Sequence, residues 1–161
     1  MSVSTLNGLP AHVLLVHFIV VLAPLDAVLI AVSGVWPSAR KRLIWWVVGL
    51  TAAVAALTPL TIDAGEWLRD RLGNGPDVAV HAELGDTMTY VAIALGVGAV
   101  SLAALEWWQR RPTATRPVVT VIVAVAAVLV ATATATQVYR IGDSGSRAAW
   151  ADQIAPPNAS P

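Results

Sequence analysis

The chain has 161 residues, of which 57% are apolar and only 12% charged, against about 45–50% and about 25% in soluble domains. Ten basic residues balance ten acidic ones, so no net field draws polyanions or acidic substrates. These values exclude a disordered chain, a nucleic-acid-binding domain and an ordinary water-soluble enzyme. The absence of cysteine also excludes disulfides, thiolate metal sites, iron–sulfur ligation and cysteine nucleophiles.

Four long apolar runs predict four membrane-spanning helices, because a bilayer's hydrocarbon core takes about 20 helical residues at about 1.5 Å each. Asn7-Gly8-Leu9-Pro10 reads as an irregular lead-in to the first run, residues 11–35, which His17, Pro24 and Asp26 interrupt. The second run, 43–62, carries no charge. Ala64 to Gly73 then reads as a short helix lying in the interface, with Trp67, Leu68 and Leu72 toward the membrane and Gly73 as its stop. Asn74-Gly75-Pro76 reads as a turn. The third and fourth spans cover about 84–107 and 117–139.

Residues 1–150 therefore form one all-α membrane domain, a four-transmembrane-helix bundle with a short interfacial helix between helices two and three. Residues 151–161 read as a disordered extracytoplasmic tail, whose Asn158-Ala159-Ser160 triplet matches a glycosylation acceptor. The alternative, a helical core in a soluble protein, needs amphipathic helices, and 43–62 and 117–136 have no charged face to offer water. No Lys or Arg precedes Arg40, so a cleaved signal peptide is not expected.

Charge sets the orientation. Arg40, Lys41, Arg42, Arg110, Arg111 and Arg116 follow helices one and three, and the positive-inside rule puts those short loops in the cytoplasm. Both termini then face outward in a multi-pass plasma-membrane protein. Trp36, Trp45, Trp46, Trp107 and Trp108 form the inner aromatic belt, Trp67 and Trp150 the outer one.

All three histidines fall on the outer side, His12 and His17 at the start of helix one and His81 at the start of helix three. Asp63, Glu66, Glu83, Asp86, Tyr139 and Asp143 lie at a similar depth. Imidazoles with carboxylates are the ligand set of transition metals and haem. His12, His17 and His81 are thus candidate cofactor ligands, and the same three with Asp63 and Asp143 are candidate metal ligands. Positions five apart differ by about 140° on a helix, so His12 and His17 cannot both chelate one ion from a regular helix.

The stripe inward from His12 passes Ile19, Ala23, Asp26, Ile30, Ser33 and Gly34. That from His81 passes Leu84, Gly85, Met88, Ala92, Gly96 and Ala99. Facing stripes bring His12 and His81 together. Asp26, near mid-membrane, must be protonated or hydrogen-bonded inside the bundle, which leaves either a proton path or satisfaction of the kink at Pro24. The halves also read as a duplicated hairpin, each starting at an outward histidine, turning at a basic loop and ending in Ile62-Asp63-Ala64-Gly65 or Ile141-Gly142-Asp143-Ser144-Gly145.

Leu9-Pro10-Ala11-His12, Val16-His17, Trp36-Pro37-Ser38-Ala39-Arg40-Lys41-Arg42, Gly65-Glu66-Trp67-Leu68, His81-Ala82-Glu83-Leu84-Gly85-Asp86 and Gln137-Val138-Tyr139-Arg140-Ile141-Gly142-Asp143-Ser144-Gly145 follow in order. Together they resemble the bacterial integral-membrane family known as domain of unknown function 2231, in its actinobacterial form, from about Leu9 to Trp150. The resemblance implies four membrane helices with outward-facing histidines. Relatives fused to Rieske-type redox domains imply a redox or haem-linked role. Relatives with His at the position of Asp143 imply a fourth imidazole that this chain lacks.

Two functional readings stand side by side. The first is a redox-linked membrane subunit binding haem or a transition metal on its extracytoplasmic side. The second is a non-catalytic accessory or scaffold subunit of a membrane complex, whose histidines and acids make hydrogen bonds between helices. The expected partners are the lipid bilayer and a second copy or membrane-complex partner, with no nucleic acid. No catalytic residue set is identified, and a transporter ranks third because four helices leave little room for a substrate path.

Overall fold

The structure, a computed structural model, describes residues 4–73, 75–111 and 117–154. It opens on a hairpin of β1 (Thr5–Leu6) and β2 (Leu9–Pro10), antiparallel with Thr5 opposite Pro10 and Leu6 opposite Leu9. The expected irregular lead-in is therefore a two-residue turn. Asn7 and Gly8 hold φ of 50° and 80°, the left-handed pair that a type I′ hairpin requires. The Ala11 amide donates to the Ser4 carbonyl at 3.0 Å, tying the hairpin to the first helix.

Helix α1 spans Ala11–Val35. Trp36 stops it with an extended backbone, φ −121° and ψ 99°, because Pro37 excludes the helical conformation from the residue before it. Pro37 then serves as the first residue of α2, where its missing N–H costs nothing. Helix α2 runs from Pro37 to Leu72 without a break and stops at Gly73, φ 92°. The interfacial helix expected over Ala64–Gly73 is thus the last part of α2. No Gly-Pro or turn-forming cluster lies between Ile62 and Ala64 to end the helix, so propagation wins. At 36 residues and about 1.5 Å per residue, α2 outruns the hydrocarbon core by several turns.

The short helix is instead α3, Pro76–Asp86, followed after Thr87 by α4, Met88–Gln109. The Thr87 hydroxyl donates to the Leu84 carbonyl at 2.5 Å and accepts from Gln137 Nε2, which fixes the junction against the last helix. Helix α5 runs Pro117–Ile154, through the end of the predicted span and into the expected tail. The rest of that tail, residues 155–161 with the Asn-Ala-Ser triplet, lies outside the described residues.

Four helical stretches are long and apolar enough to cross a membrane, Ala11–Val35, Pro37–Leu72, Pro76–Gln109 and Pro117–Trp150. They form an up-and-down bundle in which α1 packs on α2 and α5, and α4 packs on the same two from the opposite corner. The membrane-depth parts of both inward stripes are largely buried, with Ile19, Ala23, Asp26, Ile30 and Gly34 on α1 and Met88, Ala92 and Ala99 on α4 enclosed. Small residues let the backbones touch. A Cβ on Gly34 would stand 2.6 Å from that of Ala127. The outward faces expose Phe18, Val21, Tyr90, Ile93, Val97, Val121, Ile122 and Leu129, an apolar surface that suits lipid and not water.

Candidate functional site

His12 leaves the first turn of α1 and His81 the middle of α3, on diagonally opposed corners of the bundle. Their rings meet edge to face with centroids 6.2 Å apart. Each is held by the helix that completes its own hairpin. His12 Nδ1 donates to the Thr61 carbonyl of α2 at 2.9 Å. His81 Nδ1 lies 3.1 Å from the Ser144 hydroxyl of α5, which itself donates to the Ile141 carbonyl at 2.9 Å. The Ile141 carbonyl also acts as an acceptor for the His81 ring.

The two cradles share one construction. In a helix the carbonyl of residue i lies beneath the side chain of residue i+4. Four residues after Thr61 stands Gly65, where a Cβ would lie 2.9 Å from His12 Nδ1. Four residues after Ile141 stands Gly145, where a Cβ would lie 3.0 Å from His81 Cε1. Each glycine opens a carbonyl to an imidazole from the other arm of the hairpin. This register pairs Asp63 with Asp143 and Ala64 with Ser144, one residue away from the alignment that matches Ile62 to Ile141. It gives the duplicated hairpin a three-dimensional basis.

The other predicted ligands stand apart. His17 is exposed on the outer face of α1, its Nδ1 bonded to the Val13 carbonyl of its own helix. Asp63 is exposed, and Asp143 pairs with Arg147 at 3.0 Å on the bundle exterior. The expected five-ligand set therefore does not assemble. Among the described residues no group of three or more His, Asp or Glu is placed to hold a metal ion. The reason is angular, since five residues turn a helix by about 140°. Asp63 and Asp143 likewise sit two residues from the carbonyl that meets each histidine, on the opposite face.

Asp26 is fully buried and accepts a 2.7 Å hydrogen bond on Oδ2 from the Thr51 hydroxyl of α2. At the far end of the bundle lies a polar cluster that the sequence reading did not find. Arg40, expected in a solvated loop, has 0% of its surface exposed. It donates to the Ser33 carbonyl at 3.2 Å and to Gln109 Oε1 at 2.6 Å, and its Nε lies 3.5 Å from Glu106 Oε2. Glu106 Oε1 also meets the exposed Arg110 at 3.3 Å, while Gln109 Nε2 reaches the Thr120 hydroxyl at 2.9 Å. One guanidinium thereby joins α1, α2 and α4, and through Gln109 also α5. The available signal was Glu106, an isolated acid beside the tryptophan pair at an otherwise basic membrane edge.

The chain matches the family described as "Predicted membrane protein (DUF2231)" over residues 8–156 and belongs to it. No curated protein and no solved structure gives a significant match. The protein is a multi-pass membrane protein, with lipid around its four spans.

Proposed function

We propose that the protein is a redox-linked membrane subunit in which His12 and His81 together bind haem iron or a transition-metal ion. The observation that carries this reading is the commitment of both Nδ1 atoms to acceptors, His12 to the Thr61 carbonyl and His81 to the Ser144 hydroxyl. That tautomer leaves each Nε2 with a free lone pair, the arrangement by which second-shell acceptors prepare imidazoles for ligation. Two imidazoles without a third protein ligand suit a group that brings its own remaining ligands, as a haem does, and not a chelate built wholly from side chains. When bound, such a group supplies one-electron chemistry. The chain supplies two oriented bases, each backed by a glycine.

The absorbance spectrum and metal content of detergent-purified protein test this reading. Wild type is expected to carry a visible chromophore or a stoichiometric metal, lost in His12→Ala and His81→Ala and retained in His17→Ala. A folded, colourless, metal-free wild type would overturn it, as would a cofactor that survives the loss of both histidines. The same Nδ1 bonds also favour a second reading, a scaffold in which the histidines only tie helix to helix. In that case His81→Ala lowers stability or assembly with no spectral change.

The site is proposed to face away from the cytoplasm. Arg40 is buried against Glu106, so the exposed charges supporting this at the opposite end are Lys41, Arg42, Arg110 and Arg111. Single cysteines in this cysteine-free chain at Thr5, Ser38 and Ser146, all exposed, report the topology. A membrane-impermeant thiol reagent applied to intact cells should label Thr5→Cys and Ser146→Cys and spare Ser38→Cys. The reverse pattern would move the imidazole pair to the cytoplasmic face.

A further inference from the structure

The outward face of α2 carries one continuous stripe, Lys41, Trp45, Gly49, Ala52 and Ala56. Steps of three or four residues keep these positions on one side of a helix, and all five are exposed. The stripe starts at the basic end of the bundle and changes character as it runs toward mid-span. A cation comes first, then an indole with 77% of its surface exposed, then three residues no larger than alanine. A Cβ on Gly49 would meet nothing within 4 Å, so the floor of this strip is open. The outward faces of the other spans carry larger side chains, such as Phe18 and Val21 on α1, Val97 and Val100 on α4, and Ile122 and Leu129 on α5.

The head of the stripe carries charge of one sign. Helix α2 packs on α4, and the buried Arg40–Glu106 contact joins their ends. Lys41 follows Arg40 directly and the exposed Arg110 meets Glu106 at 3.3 Å, so both cations belong to one rim. Glu106 is the one acid among residues 36–42 and 106–118, and it is buried against Arg40. Lys41 and Arg42 have no acidic partner among the described residues. The opposite end differs, since Arg147 there pairs with Asp143 and Asp70 separates Arg69 from Arg71. Side chains lean toward the N-terminus of their helix, which carries the Lys41 ammonium out toward the headgroups while its stem covers apolar surface.

We infer that the Lys41–Trp45–Gly49 stripe, with Arg110 at its rim, is a binding site for one anionic phospholipid of the bilayer. The phosphodiester meets Lys41 and Arg110, as basic clusters at helix ends recognise acidic headgroups. The Trp45 ring lies beside the glycerol esters, the layer where such rings settle. One acyl chain runs along Gly49, Ala52 and Ala56. A second copy of the chain is the other occupant that a small-residue strip admits. Two parallel copies about a two-fold axis along the membrane normal bring identical positions together, which sets Lys41 against Lys41 with no exposed acid near. A lipid phosphate supplies the countercharge instead.

Native mass spectrometry of the full chain tests this, with phosphatidylglycerol and phosphatidylcholine of equal acyl composition added in detergent. Wild type is expected to keep one phosphatidylglycerol under activation that strips phosphatidylcholine. Lys41→Gln and Arg110→Gln should each lower that retention about fivefold, the effect of one surface cation on an acidic lipid. Arg71→Gln is the control, a cation over the Trp67 ring at the acidic end, and should change nothing. Gly49→Leu keeps every charge, has open space for its side chain and fills the strip, so it should also shed the lipid. Equal retention of the two lipids by wild type would overturn the inference. So would a Lys41→Gln or Gly49→Leu variant that keeps its phosphatidylglycerol, or an Arg71→Gln variant that loses as much as Lys41→Gln. A dimer that Gly49→Leu disperses, in place of a lipid adduct, would assign the strip to a second copy and overturn it as well.

Discussion

Arg40→Ala is expected to destabilise the bundle by about 3–5 kcal/mol, the usual cost of stranding one partner of a buried ion pair. The variant leaves Glu106, 4% exposed, with only the solvent-exposed Arg110 to face it. It also strips a donor from both the Ser33 carbonyl and Gln109 Oε1. Glu106→Ala should cost a similar amount for the mirror reason. The double variant Arg40→Met with Glu106→Leu should recover most of the loss, because removing both charges removes the desolvation penalty along with the attraction. Denaturant titration in detergent, read by near-ultraviolet dichroism, separates these outcomes. A double variant as unstable as either single one would show that packing at these positions, and not the charge pair, holds the end of the bundle.

Gly65→Ala and Gly145→Ala should each loosen one imidazole and leave the other in place. A methyl at Gly65 would stand 2.9 Å from His12 Cε1 and Nδ1, and one at Gly145 3.0 Å from His81 Cε1. Neither ring can stay on its acceptor without the helices moving apart. Overpacking of this kind costs about 1–3 kcal/mol. Nitrogen-15 chemical shifts should then report a lost Nδ1–H donation at His12 in the first variant and at His81 in the second. Gly96→Ala is the control, since nothing lies within 4 Å of a Cβ there, and in mid-helix it should be neutral or stabilise by about 0.5–1 kcal/mol. Equal responses from all three glycines would show that the cradles are not specific to the histidines.

Much of the candidate site was legible before the tertiary structure. The stripe rule pointed His12 and His81 to one another, and the angular argument separated His12 from His17, because both depend only on the helical period. Asp63 and Asp143 stand apart from the imidazole pair for the same kind of reason. They lie at the right depth but on the wrong face, and depth alone does not say which way a side chain points. Gly65 and Gly145 were visible as repeat positions without their role, because the need for glycine arises only when a second helix presents a ring to the carbonyl beneath. Arg40 was counted as a loop charge since it sits in a basic triplet after a helix end. Its partner Glu106 is 66 residues away, and no local pattern announces such a pairing.

The sequence by itself determined the class and the span count, because hydrocarbon admits only self-satisfied helices and their minimum length is set by bilayer thickness. Trp36-Pro37 and Gly73 each stop whichever helix reaches them, since both signals act on the backbone they belong to. Only the tertiary structure decided whether the residues after Ile62 stay helical, because local propensity is too weak there to choose between continuing and breaking. Only it decided which polar groups are enclosed. Enclosure depends on which helices stand at adjacent corners, and that is fixed by small residues such as Gly34 meeting Ala127 across the bundle, a contact between segments that the chain holds far apart.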